Sequence, residues 1–393
     1  MIGRFKSACA RTFLFSAEQI AGLALRPFLS RQKPVAELTR IGFIEINRLG
    51  DLELTLPALE RLRAIFPKAR IVLIASSALL DLLRSHPAID EFVELDAPWM
   101  EHKGKYNPLR YRLFWKQVRR LRKLRLDACL DTRGDIRRHL VMALARIPER
   151  VSYDRFIGGE KKGYRGRLLT HVVAYPQKPL HRVEENVYLV EQWAKDRGTP
   201  LPATPVRPRP PRTLPVDRPV RVALHIESHW PNKVWDEGRW LSVMQELQRR
   251  YKVVFSLLTA SRAFAENFTA RSRVLNLTVE TICVPLSQLR SRLEAVDVYL
   301  GVDSGPMHVA DTEGCRVVAI FGPSDIRLWH PYNNGLAGVV HRQETCPYAP
   351  CRKPWCKTGD TRCMAEVSVA QVVDACAAIF SNSKFLQHEA ANG

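Results

Sequence analysis

Short apolar runs alternate with amphipathic stretches along most of the chain. The runs lie at 40–47, 71–75, 92–95, 127–131, 220–226, 251–258, 298–302 and 317–321. Short apolar runs bounded by turn residues predict buried β-strands, and apolar side chains at helical spacing between them predict helices. Because strands that alternate with helices indicate parallel, doubly wound sheets, we predict an α/β protein.

A proline-rich stretch divides this pattern into two halves. The segment 199–219 contains eight prolines, which cannot occupy a helix interior or a central strand, so we predict a semi-rigid linker there. We therefore predict two Rossmann-like domains, at 37–198 and 220–370. A basic leader at 1–36 precedes them, and a C-terminal helix and tail at 371–393 follow.

The leader combines basic residues with an apolar stretch. Up to Lys33 it holds six Lys or Arg and one acid, Glu18. The apolar stretch between them is too short and too polar to span a membrane, and Glu18-Gln19 interrupts it where a signal peptide would be continuous. Two alternatives stay open: an amphipathic helix lying on an anionic membrane surface, or a helix packed on the protein itself.

The protein is strongly basic, with 60 Lys and Arg against 40 Asp and Glu and a formal net charge of +20. Such a charge implies an anionic partner, which could be a phosphorylated sugar, nucleic acid or a membrane surface. The densest region, 103–125, holds ten Lys or Arg and no acid. Most of this region falls within a long amphipathic helix predicted from Tyr106 to Leu126, and we expect this helix to face an anionic acceptor or lipid headgroups. The predicted apolar side of this helix consists of Leu109, Leu113, Leu121 and Leu124.

The nine cysteines are an odd number scattered over a long chain, which favours a reducing cytoplasm over a disulfide framework. Four of them follow the spacing C-x4-C-x4-C-x6-C near the C-terminal end. These are Cys346, Cys351, Cys356 and Cys363. Zinc sites typically use closer C-x2-C pairs, so we predict no metal here.

The stretch after the run at 298–302 has the features of a phosphate site. Asp303-Ser304-Gly305 forms a polar turn directly before a helix predicted from about Met307 to Glu313. The free N–H groups and the positive dipole end of a helix N-terminus bind phosphate, and His308 in the first turn adds a donor. The alternative is an ordinary strand–turn–helix connection in which the serine only caps the helix.

A second candidate site follows the first apolar run. Gly50-Asp51 comes after the strand predicted at 40–47, at the carboxyl end where doubly wound sheets place their ligands. A carboxylate in that position suits a general base, and the alternative is a helix cap.

Several motifs resemble, in order, those of the lipopolysaccharide heptosyltransferases of glycosyltransferase family 9. DSGPMHVA at 303–310, followed by VVAIFGPSD, resembles the donor-site motif of that family. RLGDLELTLPALERLRAIFPKARI resembles its first motif, a Gly-Asp followed by Thr-x-Pro-x-Leu, and KVW at 233–235 resembles the entry loop of its second domain. The loop at 226–228 departs from the family, whose members usually have Pro-Gly-Ala-Ser there. The missing glycine and the added Glu227 put donor affinity or donor choice in doubt.

The resemblance implies a role for each matching residue. Asp51 matches the proposed catalytic base, Lys233 matches the lysine that binds the donor diphosphate, and Val284 lies where the family holds adenine. The remaining candidates for donor binding are Ser228, Glu266 (for a ribose diol), Asp303, Ser304, Gly305 and His308. The candidates for acceptor binding are Arg48 and the arginines of the TRGDIRR segment, Arg133, Arg137 and Arg138.

The resemblance further implies a GT-B fold, with a cleft between a donor domain and an acceptor domain. The implied reaction is inverting transfer of heptose from ADP-heptose to the lipid A–inner core of lipopolysaccharide, without a metal or any cofactor beyond the nucleotide sugar. The expected partners are the nucleotide sugar and an anionic lipid-linked or phosphorylated oligosaccharide. We expect the protein in the cytoplasm, peripheral on the inner face of the cytoplasmic membrane.

Three alternatives differ from this reaction. A protein of the same fold could use another nucleotide sugar, or could be a non-catalytic scaffold, which the altered loop permits. The charge alone would suit a nucleic-acid-binding protein. We expect no nucleic acid as partner, because the basic residues lack interleaved aromatics and no recognition motif is present.

Overall fold

The computed structural model describes residues 36–83, 86–98, 107–154 and 167–381, so nearly all of the predicted leader lies outside it. The chain divides into two compact units, one ending at Val206 and the other beginning at Arg207. This division falls inside the predicted linker. Within the described ranges, no helix is long and apolar enough to cross a membrane.

Six parallel strands form the sheet that the structure describes in the first unit. They are β1 (Arg40–Ile44), β2 (Arg70–Ala75), β3 (Glu91–Glu94), β4 (Ala128–Asp131), β5 (Glu149–Tyr153) and β6 (His171–Val173). Their order is β3-β2-β1-β4-β5-β6. The order reverses between β1 and β4, so the loops that follow these two strands meet at the carboxyl edge of the sheet, where such folds bind ligands.

The helices of this unit lie between the strands. They are α1 (Leu49–Glu53), α2 (Leu56–Ile65), α3 (Ser77–Leu80), α4 (Pro108–Lys123), α5 (Ile136–Leu144) and α6 (Arg182–Asp196). Thr55, the threonine of the Thr-x-Pro-x-Leu motif, is the N-cap of α2. The structure adds the short α1 before it, which places Asp51 inside the first turn of a helix.

The buried face of α4 differs from the prediction. Leu109 and Leu113 are exposed, whereas Phe114, Val118 and Leu121 pack into the core of the sheet. Gln117 also lies on the buried face, where its side chain exchanges hydrogen bonds with Asp96 at 2.9 and 3.0 Å. Gln117 can be buried because it is hydrogen-bonded. The buried side of the helix therefore includes Gln117 and lies opposite to Leu109 and Leu113.

The second unit repeats the architecture. Its described strands are β7 (Val220–His225), β8 (Val253–Leu258), β9 (Val279–Ile282), β10 (Val298–Val302), β11 (Arg316–Phe321) and β12 (Val339–His341), in the order β12-β11-β10-β7-β8-β9. All neighbours are parallel, and the order reverses between β7 and β10. These two strands therefore hold the second unit's ligand-binding edge.

Its helices are α7 (Glu237–Arg250), α8 (Arg262–Val274), α9 (Leu289–Glu294), α10 (Gly305–Thr312), α11 (Ile326–Trp329), α12 (Arg362–Ala365) and α13 (Val369–Ser381). The predicted helix after the polar turn begins at Gly305, two residues earlier than expected, and ends before Gly314, whose φ of 79° favours glycine. α13 packs into the core of this unit through Val372, Cys376 and Phe380.

Gly301 brings β10 and β7 close together at the point of reversal. A Cβ at this position would lie 2.1 Å from the carbonyl oxygen of His225, so a larger residue would force the two strands apart. The loops after β7 and β10 are consequently held side by side.

Candidate active site

Asp51 and Arg133 form an ion pair across the point of reversal in the first unit. Asp51 follows β1 and Arg133 follows β4, and the Arg133 Nη2 donates to Asp51 Oδ1. Arg133 Nε also lies 3.4 Å from Glu45 Oε2. Asp51 is partly open to solvent, whereas Arg133 is buried. Burial by itself lowers the pKa of Arg133, but the carboxylates of Asp51 and Glu45 raise it, so the guanidinium stays charged.

A buried ionic network lies beneath this pair. Arg138 is fully buried and donates to Glu45 Oε1 and to Asp131 Oδ1, both at 2.9 Å, while His139 Nε2 lies 3.2 Å from Asp131 Oδ2. Burial raises the pKa of Asp131, but Arg138 and His139 outweigh it and hold the pKa below its usual range. The network ties the end of β1 to the end of β4 and to α5, because Glu45 follows β1, Asp131 ends β4, and Arg138 and His139 lie in α5.

The predicted acceptor arginines occupy three different environments. Arg48 is exposed, and Arg137 is half-exposed and bonded to Asp135 at 2.6 Å. Arg133 is bound to Asp51, as described above. Arg138 is fully buried and binds two buried carboxylates, so its guanidinium is not accessible to a substrate. Arg138 therefore lies beneath the site, where it can position other residues. Arg48 and Arg137 lie at the surface of the protein.

Lys233 and Asp303 form the corresponding pair in the second unit. Lys233 lies in a 3₁₀ turn, Pro231–Lys233, after β7, and Asp303 follows β10. The Lys233 Nζ lies 2.6 Å from Asp303 Oδ2 and 4.8 Å from the centre of the Trp230 ring. Burial raises the pKa of Asp303, but the Lys233 ammonium and the His308 ring beside it lower it below its usual range. The ammonium is thus held at the ligand-binding edge by a carboxylate and an aromatic face.

The N-terminus of α10 starts directly beside this pair. Ser304 is its N-cap residue, but its side chain does not cap the helix and lies 3.0 Å from the Tyr299 hydroxyl instead. The first-turn amides of a helix have no acceptor within the helix, so those from Gly305 onward are available to an anion. His308 is buried in the same turn, and its ring centre lies 6.2 Å from that of Trp329.

In the altered loop after β7, the Glu227 carboxylate is directed toward the neighbouring strand β8. The Glu227 side chain accepts a hydrogen bond from the Thr259 hydroxyl, which follows β8. Ser228 Oγ accepts from the Trp230 amide at 3.2 Å, so this serine shapes the turn that leads to Lys233. Glu227 is therefore engaged by Thr259 along the edge of the sheet.

The two remaining donor candidates lie further along the same sheet edge. Val284 is half-buried just after β9, and Glu266 is exposed in the second turn of α8. In the described part of the chain, Glu266 forms no hydrogen bond or ion pair with Lys233 or Asp303. The structure thus groups Lys233 with the residues at 303–308, while Glu266 and Val284 stay separate from that group.

Sequence reasoning missed several residues that shape the two sites. Glu45 and His139 are buried and charged or polar, and Arg138, the partner of Glu45, lies 93 residues away along the chain. Tyr299 and Thr259 bind site residues through their hydroxyls. The one available signal was position, because Glu45 lies near the carboxyl end of a predicted strand and Thr259 directly follows another.

Cys346, Cys351, Cys356 and Cys363 line one small cavity together with Asn232 and Pro323. All four are free thiols. Burial and the three neighbouring cysteines raise the pKa of Cys363 to about 11. Among the residues that the structure describes, no group of three or more His, Cys, Asp or Glu side chains is placed to hold a metal ion. The cavity adjoins the turn that contains Lys233, since Asn232 of that turn donates through Nδ2 to the Lys353 carbonyl at 2.8 Å.

Comparison with known proteins identifies several relatives of low identity. Lipooligosaccharide heptosyltransferase 2 of Campylobacter jejuni is 24% identical over 145 residues, which cover 36% of this chain and 45% of that protein. The chain therefore aligns with less than half the length of this relative. Lipopolysaccharide heptosyltransferase 3 of Escherichia coli K12 is 22% identical over 305 residues, which cover 73% of this chain and 83% of that protein.

Among solved structures, the E. coli heptosyltransferase WaaC with ADP-2-deoxy-2-fluoro heptose superposes with a TM-score of 0.61 at 17% identity. The superposition covers 73% of this chain and 90% of that one. This likeness shows the fold, which is the GT-B fold predicted from the sequence. The profile described as glycosyltransferase family 9 (heptosyltransferase) matches residues 114–359, which is more than half of the chain. The chain belongs to glycosyltransferase family 9, the heptosyltransferase family.

Proposed function

We propose that the protein is an inverting glycosyltransferase that transfers heptose from ADP-heptose to the lipid A–inner core of lipopolysaccharide. The observation that carries the proposal is the position of Lys233. Its ammonium is held at the carboxyl edge of the second sheet, beside the N-terminus of α10. An ammonium and free helix amides side by side form a site for a diphosphate.

The proposed donor site in the second unit contains both parts that a leaving diphosphate requires, a cation and free amides. Asp303 positions the ammonium before the donor arrives, and the amides from Gly305 onward supply directional hydrogen bonds. His308 in the same turn adds a ring close to Asp303. The solved structure of WaaC with ADP-2-deoxy-2-fluoro heptose supports a nucleoside diphosphate sugar as the donor class.

The proposed acceptor site in the first unit contains a carboxylate that can act as a general base. Arg133 binds Asp51 Oδ1, and Asp51 Oδ2 receives no hydrogen bond from the described residues. In the proposed step, Oδ2 takes the proton of the acceptor hydroxyl while the hydroxyl oxygen forms a bond to the anomeric carbon. The bond from that carbon to the diphosphate breaks, and ADP leaves with the electron pair. Attack from the side opposite to ADP inverts the anomeric configuration.

The proposed acceptor is an anionic glycolipid, which brings the protein to a membrane. Arg48 is exposed next to the Asp51 turn, and Arg137 lies at the start of α5 on the same edge of the sheet. Both can meet phosphate groups of an acceptor. We propose that the protein works in the cytoplasm, on the inner face of the cytoplasmic membrane, without a metal or a further cofactor.

A second candidate function differs only in the donor. The Glu227–Thr259 hydrogen bond lies in the loop where family members usually have a glycine, and this loop leads to Lys233. The presence of Glu227 instead of glycine favours a different nucleotide sugar, because a carboxylate changes which groups of a nucleotide sugar can bind nearby. The reaction type and the acceptor half would be the same.

A thermal-shift panel of nucleotides and nucleotide sugars tests both candidates, because a ligand that binds the folded state raises its melting temperature. The panel contains ADP-heptose, ADP-glucose, UDP-glucose, GDP-mannose, ADP and UDP. The principal proposal predicts the largest stabilisation by ADP-heptose. Stabilisation by a different nucleotide sugar alone would favour the second candidate, and a flat panel would contradict both.

A further inference from the structure

The outward side of α4 combines exposed apolar side chains with positive charge. Leu109, Leu113 and Trp115 are exposed by 69%, 48% and 43%, although large apolar side chains usually lie inside. Exposed basic residues follow along the same side of the helix. We call this surface the α4 outer face; it consists of Leu109, Arg112, Leu113, Lys116, Arg119, Arg120 and Lys123, with Trp115 at its flank.

The spacing of these residues makes them one surface. Positions 109, 112, 113, 116, 119, 120 and 123 recur at intervals of three and four, which places their side chains along one side of an α-helix. The two leucines lie at its N-terminal end, and the cations continue for three further turns. The α4 outer face is therefore apolar at its N-terminal end and basic along the rest of its length.

The opposite side of α4 fixes the helix on the first unit. Phe114, Val118 and Leu121 are buried in the sheet's core, and Gln117 is bonded to Asp96. The Asn107 side chain caps the first turn by accepting from the Leu109 amide at 3.0 Å. The outer face is thus presented by a capped and packed helix.

The charge of the outer face is not compensated locally. Among the residues that the structure describes, no carboxylate forms an ion pair with the exposed cations of α4. These cations are Arg112, Lys116, Arg119, Arg120, Arg122 and Lys123. The helix itself contains no Asp or Glu. Each unpaired cation that approaches an anionic lipid surface strengthens binding about fivefold.

We propose that the α4 outer face docks on a lipid bilayer containing anionic lipids. The exposed leucines and Trp115 match the boundary between headgroups and acyl chains, and the cations match the lipid phosphates. A nucleic acid would match the cations but would leave Leu109 and Leu113 without a partner. The proposal deepens the proposed function, since it rests on the idea that the acceptor is a membrane lipid, and it names the surface that reaches the membrane.

The test is sedimentation of the full chain with phosphatidylcholine vesicles, with and without phosphatidylglycerol. A charge variant carries Arg112→Gln, Lys116→Gln and Arg119→Gln, and an apolar variant carries Leu109→Ser and Leu113→Ser. A matched control removes three exposed cations of the second unit instead, with Lys252→Gln, Arg262→Gln and Arg273→Gln. A further control replaces Arg112 and Arg119 by lysine, which keeps the charge. All proteins contain the same leader, so differences between them report on α4.

We expect wild type to bind only the vesicles that contain phosphatidylglycerol. The charge variant should lose about 100-fold in partition coefficient, from about fivefold for each of three cations. The apolar variant should lose about tenfold, and the two controls should stay within about twofold of wild type. Equal binding of the charge variant and wild type, or equal binding to both kinds of vesicle, would overturn the proposal. Salt-dependent gel shifts with duplex or single-stranded DNA, without vesicle binding, would assign the surface to nucleic acid instead.

A second readout separates this proposal from the proposed function. Each variant is also melted with and without ADP-heptose, and an unchanged melting temperature shows that the substitutions leave the fold intact. Loss of vesicle binding with no response to any nucleotide sugar would support the docking surface while contradicting the glycosyltransferase. A normal response to ADP-heptose without any effect of the α4 substitutions on vesicle binding would overturn the docking surface alone.

Discussion

Arg133, just after β4, donates to the carboxylate of Asp51, which follows the adjacent strand β1, although the two residues lie 82 positions apart in the chain. The second unit has the same arrangement with the charges exchanged, because Lys233 after β7 meets Asp303 after β10. In both units, the first strand and the fourth strand lie side by side at the point where strand order reverses. Each ion pair therefore lies where its sheet is built to bind a ligand.

The Asp51–Arg133 pair makes Arg133 a positioning residue. Arg133→Gln should lower kcat by about 10- to 100-fold, because one charged hydrogen bond contributes about 1.5–3 kcal/mol. The KM for the donor should change little, since Arg133 lies in the other unit, and Arg133→Lys should restore part of the rate. Steady-state kinetics of the two variants check this expectation. A rise in the acceptor KM at constant kcat would make Arg133 an acceptor-binding residue instead.

Lys233 is expected to contribute to donor binding. Lys233→Ala should weaken ADP-heptose binding by about 1.5–3 kcal/mol, the range for a hydrogen bond to a charged group. The substitution also leaves Asp303 without its ammonium, so calorimetric binding should be compared with that of the double variant Lys233→Ala/Asp303→Asn. Unchanged donor affinity in Lys233→Ala would exclude this lysine from the diphosphate site.

The buried network should contribute strongly to the stability of the first unit. Arg138→Met leaves Glu45 and Asp131 buried without their guanidinium, and breaking a buried pair from one side costs about 3–5 kcal/mol. Urea unfolding should show this loss in the free energy of unfolding. Arg48→Met, at an exposed position, is the matched control and should change it by less than about 0.5 kcal/mol. Similar effects of both substitutions would mean that the network adds little.

His225 should make stability depend on pH in mildly acidic solution. Burial lowers the pKa of His225 below its usual range, although the hydrogen bond to the Leu258 carbonyl at 2.9 Å opposes this shift. Between the folded-state pKa and the unfolded value of about 6.5, the unfolded chain binds a proton that the folded chain does not. The free energy of unfolding therefore rises with pH in this window and falls on acidification. Melting temperatures of wild type and His225→Gln from pH 7 to 5 should show a smaller decrease in the variant, and equal decreases would contradict this account.

Much of this fold follows from local patterns in the sequence. Apolar runs predicted β1 and β10 close to their observed positions, and the polar residues after them were predicted as sites because they come at strand ends. The order of strands in space cannot be read from such runs. The pairing of Asp51 with Arg133 depends on that order, so the sequence identified both residues without indicating that they bind each other.

Side-chain burial was less predictable than strand position. The leucines of α4 suggested a buried side that includes Leu109 and Leu113, but bonded Gln117 takes an inward position and turns both leucines outward. Glu45 is likewise buried because Arg138, 93 residues away, neutralises it. In both cases a polar side chain inside the protein has a distant partner, and a local pattern contains no information about such a partner.

The central claim is that Asp51 is the general base, and the most direct test is the turnover of Asp51→Asn with ADP-heptose and a saturating acceptor. The asparagine keeps the shape and can still bind Arg133 through its carbonyl oxygen, but it cannot take the acceptor's proton. Turnover should fall by about 10²–10⁴-fold, the usual contribution of a general base, while donor affinity and melting temperature stay close to wild type. If Asp51→Asn retained more than about a tenth of wild-type turnover, Asp51 would not be the base.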